Sequence, residues 1–227
     1  MINTRPDTSL IRLMQLSSSV LPVGGFTYLQ GLEWAVECQW VRTEDELRLW
    51  LIDLIETTLK DLEIPILVRM MQACDEQDKL NLSRWADILL AHRETSELRL
   101  EEQNRGRAMA RLLENLDMDF ALQWKFVLAK SQTAGFALAL SQWQIPLQLG
   151  AQGFAWAWLE NMVISGVKLI PLGQMSGQRV LRDLAEPLAL AIEKGLTVTD
   201  ENIGSSAPAL AYASARHETQ YTRLFRS

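Results

Sequence analysis

The stretch TEDELRLWLIDLIETTL (Thr43–Leu59) brings its apolar residues back every three or four positions: Leu47, Trp50, Leu51, Leu54 and Ile55. That spacing lays one apolar stripe along an α-helix and requires a core for the stripe to face. Thr43 and Glu46 stand as a capping box at its start, and Glu44, Asp45 and Glu46 suit the positive end of the helix dipole. The same period recurs along nearly the whole chain, whereas alternating apolar runs and hairpin dipeptides such as Asn-Gly are lacking, so a sheet is not supported. The periodicity predicts further helices over about residues 8–18, 28–40, 62–78, 80–91, 95–116, 118–143, 148–169, 174–195 and 206–221. No repeat or low-complexity linker divides the chain, and the reading is one all-α domain of about ten helices over residues 1–227.

Within TSELRLEEQNRGRAMARLLENL, Glu101 and Arg105 form an i,i+4 pair, and Leu98, Met109, Leu112 and Leu113 supply a buried side. The dense charges of this helix read as a solvated face. Three loops combine Gly or Pro with apolar neighbours: LPVGGF (Leu21–Phe26), IPLGQMSG (Ile170–Gly177) and ENIGSSAP (Glu201–Pro208). The uncharged run from Ser131 to Leu159 carries five glutamines and is interrupted by Pro146 and Gly150, which suits buried helices rather than a membrane span.

A formal net charge of -6 and a pI near 5.1 argue against a nucleic-acid binder, which needs a concentrated basic face. Cys38 and Cys74 stand alone among helix formers and read as small core residues rather than a disulfide framework. No charged segment followed by an apolar one opens the chain, so the cytoplasm is the expected compartment. Catalytic constellations are missing too. His92 and His217 are the only histidines, HETQY has Tyr221 where a zinc-protease helix needs its second His, and neither a phosphate-binding loop nor a G-x-S-x-G nucleophile turn is present. The acidic run DEQD (Asp75–Asp78) leaves one enzymatic alternative open, an all-α enzyme holding magnesium there for a diphosphate or other small ligand. Otherwise no catalytic residue, metal ligand or cofactor site is assigned.

Against this acidic background the chain ends in SARHETQYTRLFRS, where Arg216, His217, Arg223 and Arg226 are interleaved with Tyr221, Leu224 and Phe225. Arg and Tyr dominate interface hot spots, and a terminal segment is free to order on a partner. The blocks LPVGGFTYLQGLEWAVE (Leu21–Glu37), HRETSELRLEEQNRGRAM (His92–Met109), VKLIPLGQMSGQRVL (Val167–Leu181) and ARHETQYTRLFRS (Ala215–Ser227) stand in one order from near the start to the last residue. Together they resemble the urease accessory protein UreF family. The resemblance implies an all-α homodimer without catalytic activity. It further implies an adaptor that links the accessory protein UreD (UreH in some systems) to the GTPase UreG on apo-urease and supports nickel insertion, with gating of the GTPase or faithful nickel transfer as its role.

Carried over position by position, the resemblance places UreD binding on a docking tail over 215–227, at Arg216, His217, Glu218, Tyr221, Arg223, Leu224, Phe225 and Arg226, with Tyr28 and Gly31 beside it. It places Glu33, Lys168, Gln174 and Gln178 on a surface facing the GTPase. Leu29 departs from the small residue, often Ser, that the family commonly has at its position.

Overall fold

The computed structural model describes residues 7–226; Ser227, the last residue of the expected tail, lies outside them. The helices are α1 (Ser9–Leu16), α2 (Leu32–Glu37), α3 (Glu44–Leu54), α4 (Ile64–Asp75), α5 (Lys79–Ala91), α6 (Ser96–Asn115), α7 (Lys125–Leu128), α8 (Gln132–Gln142), α9 (Leu147–Leu169), α10 (Gln174–Gly195) and α11 (Pro208–His217). There is no strand among the described residues. At the centre lies α8, whose TAGFALAL segment is buried on every side between α4 and α6. A helix apolar all round belongs in a core, and each large side chain such as Phe136 or Leu138 contributes about 1.5–3 kcal/mol by leaving water. Leu29 is fully buried as well, so the departure at that position fills the core.

The capping of α3 differs in detail from the expected reciprocal box. Thr43 accepts the Glu46 N–H at 3.2 Å, but the Glu46 carboxylate reaches one residue further back, to the N–H and guanidinium of Arg42. Nor does the chain break near residue 60. A π-helical segment, Ile55–Glu63, joins α3 to α4 as one continuous rod. Pro65 lies at the start of α4 and has no N–H to give the preceding turn. The Asp61 carbonyl accepts instead from Gly204 at 3.0 Å, and Gly195 passes so near the Lys60 carbonyl that a Cβ would stand 2.8 Å from it. The widened turn thus receives α10 and the loop behind it.

Three other expected helices are shorter than the periodicity predicts. Asp117 and Phe120 adopt left-handed backbone, so residues 118–124 form turns, and α8 starts afresh where the Ser131 hydroxyl accepts the Thr133 N–H. Gly31, at φ +79°, delays α2 to Leu32, and α11 ends at His217. No helix among the described residues is long and apolar enough to cross a membrane.

The expected solvated face of α6 is a correction: Glu101 and Glu102 are buried. Charge pairing explains it. The Arg93 guanidinium lies between Glu63 and Glu102, at 2.6 Å from an oxygen of each, and Ser131 donates to the second oxygen of Glu102. Burial pushes the Glu63 carboxyl up, against the pull of Arg93. Burial acts the same way on Glu102, but Arg93, Ser131 and Arg105 outweigh it and hold that carboxyl below the usual range. The expected pair of Arg105 with Glu101 forms at 2.9 Å. This cluster ties the π segment, the turn before α6 and the start of α8 together, and so fixes the N-terminus of α6.

Candidate functional site

The α6 N-terminus, α2 and α11 converge, and the tail lies across them. Gly31 makes the convergence possible: a Cβ there would stand 2.8 Å from the Ser214 nitrogen and 2.9 Å from the Ala213 Cβ. This close approach serves the chain's own α11. Above that crossing Thr95 and Ser214 share a hydroxyl hydrogen bond of 2.7 Å, and Thr95 also accepts the Leu98 N–H as the cap of α6. Glu218 completes the cap, one oxygen accepting from the Ser96 hydroxyl and from the Ser96 and Glu97 amides. These donors, the Ser96 hydroxyl first, hold the Glu218 carboxyl below its ordinary range against the opposing effect of burial.

Beneath the tail lies a chain of charges. Glu33 is only 5% exposed, and its two oxygens accept the Leu224 N–H at 2.7 Å and the Phe225 N–H at 2.8 Å. His217 is fully buried, with Nε2 3.3 Å from Glu33 and Nδ1 2.7 Å from Glu97. The other oxygen of Glu97 accepts from the Arg223 guanidinium at 2.7 Å, and Arg226 donates its N–H to the Thr27 carbonyl at 2.8 Å. Phe225 is half-buried against the core, while Tyr221 and Leu224 point into solvent, Leu224 at 78% exposure. Arg216, Arg223 and Arg226 are exposed beside them. Tyr28 is buried at the edge of an open cleft of about 420 Å³, which it lines with Glu97, Leu100, Asn104, Arg223, Phe225 and Arg226.

The residues expected on the partner-docking tail thus divide. Tyr28, Gly31, His217 and Glu218 build the platform, Arg223 and Phe225 tether the tail to it, and Arg216, Tyr221, Leu224 and Arg226 face outward. Lys168, Gln174 and Gln178 are exposed around the α9–α10 turn. Glu33 does not join them: burial and the two tail amides place it in the platform, a difference from the expected grouping. The sequence reading missed Thr95, Ser96, Glu97 and Ser214. The start of α6, Thr95 followed by an apolar periodic run, carries a cap signal, but nothing in it announces that the remaining donors are taken by a residue 122 positions away.

No metal-binding grouping of three or more His, Cys, Asp or Glu side chains occurs among the described residues. Asp78 of the acidic run caps α5 through the Asn81 N–H, and Asp75 accepts from Ser141. The Cys74 thiol is pushed up to about 12, by burial first and then by Asp75. At neutral pH it stays protonated and is no nucleophile.

The family model described as UreF matches residues 41–185. That match covers more than half of the chain. The chain belongs to the UreF family. A urease accessory protein UreF of Alcanivorax borkumensis is 49% identical, over 97% of this chain and 99% of that protein. One of Pseudomonas putida is 50% identical over the same shares, and one of an Enterobacter species is 43% identical over 96% and 97%. These relatives align over almost their full length.

Proposed function

We propose that this chain is a non-catalytic adaptor of urease maturation that docks UreD through residues 216–226 and faces UreG with Lys168, Gln174 and Gln178. In this reading it works as a homodimer on apo-urease, nickel is the cargo of the assembly, and the adaptor gates GTP hydrolysis by UreG. The observation that carries the reading is the construction of the tail. Its backbone is fixed from below by a buried carboxylate, while the side chains of Arg216, Tyr221, Leu224 and Arg226 are exposed. Aromatic and arginine side chains presented from a fixed backbone bind with less ordering entropy than the same residues on a loose terminus. Lys168, at the end of α9, supplies a point charge for a partner but lacks the planar fork of an arginine finger.

The test is capture of UreD from cells expressing both proteins, comparing the full chain with a chain ending at Glu218. Ending there keeps His217 and Glu218 and with them the platform. Capture by the full chain alone is the expected result; equal capture by both would refute the assignment of the tail.

A further inference from the structure

Leu80, Leu122 and Phe126 stand in solvent at 84%, 68% and 87% exposure, where α5 meets the turn before α7. We propose that these three side chains form a docking surface for a basic amphipathic helix of a protein partner, with the carboxylates around them supplying the attraction. The contact of α5 with α7 brings them together. Lys79 donates to the Gln123 carbonyl at 2.9 Å, and Lys130 donates to Ser83 at 2.9 Å and to Asp87 at 2.7 Å, so positions 79, 83 and 87 of α5 face the turn and α7. Leu80, one residue on from Lys79, lies at the outer border of that face. Leu122 and Phe126 are four residues apart along helical turns and share the outward side, while Trp124, Val127 and Leu128 are buried beneath them.

The turn that presents them is built in. Phe120 keeps φ at +63°, a backbone that a bulky side chain seldom takes, and its ring packs against the core 5.0 Å from the ring of buried Trp124. Lys125 ties the start of α7 to Glu114 of α6 at 2.7 Å. Apolar side chains held in water on such a backbone, with a polar rim, mark a contact surface. The rim sets the sign of the partner. Lys79, Lys125 and Lys130 are all engaged within the fold, on the Gln123 carbonyl, Glu114 and Asp87. Asp75 and Glu76 at the end of α4, Asp78 before α5, and Asp117 and Asp119 before α7 make no ion pair with any described residue. The surface is therefore apolar at its centre and acidic at its edge, and its complement is a helix whose apolar face is bordered by lysine or arginine. A second copy of the same surface would set one acidic rim against another, and an anionic membrane would be repelled in the same way. This surface uses neither the tail nor the α9–α10 turn, so it does not rest on the function proposed above.

The test titrates the full chain into a fluorescently labelled amphipathic peptide of leucine and lysine, about five helical turns long, and follows anisotropy near physiological ionic strength. The wild-type chain is expected to bind it. Leu122→Ser with Phe126→Ser should weaken binding about tenfold or more, the loss that truncating central contact residues gives. Asp117→Asn with Asp119→Asn should weaken it about threefold or more, since each removes an ion pair near the surface while asparagine tolerates the left-handed backbone at 117. All four side chains are exposed, so helical circular dichroism should be unchanged in both variants. Absence of binding, equal binding by wild type and the double serine variant, or equal binding of a leucine and glutamate peptide overturns the proposal. Two further measurements read the other occupants. Self-association in sedimentation, or binding to phosphatidylserine vesicles, that the double serine variant loses would give the surface to a second copy or to a membrane, and either result overturns the proposal as well.

Discussion

Replacing Gly31 by alanine acts on the platform at its narrowest point. Two costs can be worked from the geometry. The residue holds φ at +79°, left-handed backbone that costs an L-residue about 1–2 kcal/mol. The added Cβ meets the Ser214 nitrogen at 2.8 Å and the Ala213 Cβ at 2.9 Å, atoms of α11 that no rotamer can move aside. Overpacking of that kind costs about 1–3 kcal/mol. The sum is about 2–5 kcal/mol, which for a chain of this size lowers the melting temperature by roughly 4–20 °C. Thermal unfolding followed by circular dichroism at one protein concentration is the assay. Gly31→Asn separates the two costs: asparagine tolerates left-handed backbone better but brings the same Cβ, so it should melt between glycine and alanine. A melting temperature for Gly31→Ala within about 1 °C of wild type would refute the close crossing of α2 and α11 on which the platform is built.

Other outcomes follow from the same geometry. Arg93→Met strands Glu63 and Glu102 in the core and should destabilise by about 3–5 kcal/mol in urea unfolding, whereas Glu63→Gln, Arg93→Met and Glu102→Gln together should recover most of that. Glu218→Ala removes the acceptor of the first α6 donors and should cost about 1 kcal/mol by the same measurement. Because the folded carboxyl of Glu218 sits below its ordinary value, its contribution is present above the ordinary carboxylate range and fades as pH falls through the folded value, so the difference between Glu218→Ala and wild type should shrink on acidification. Lys168→Ala lies on the surface and should leave the unfolding midpoint unchanged within about 0.5 kcal/mol while weakening the interaction with UreG, measured by titration of the purified proteins.

The sequence showed the helices wherever one face alternates with water, as in α3 and α10, because a 3.6-residue period then marks both the element and its buried side. It failed where a boundary is set by something distant. The join of α3 to α4 depends on Gly195 and Gly204 meeting the Lys60 and Asp61 carbonyls, residues more than 130 positions away, and the break before α8 depends on left-handed residues at 117 and 120 that are not glycines. The misread face of α6 has the same origin. Glu101 and Glu102 look solvated because the charge that permits the burial of Glu102, Arg93, stands on a loop outside the helix pattern. The tail stood out by its composition, and Arg216, Tyr221, Leu224 and Arg226 are exposed in the structure. That Glu33 and His217 lie beneath it was not legible, since a carboxylate on a short helix and a histidine at a helix end look the same whether they meet a partner or each other.

The most direct measurement is nickel-dependent urease activity in cells that carry the urease structural genes and the remaining accessory proteins, supplied with the full chain, the chain ending at Glu218, or no chain. The expected result is activation by the full chain and background activity with the other two, at equal soluble levels of both forms. Full activation by the shortened chain would contradict the assignment of the tail as the docking element; no activation by the full chain with its cognate partners would contradict the adaptor role itself.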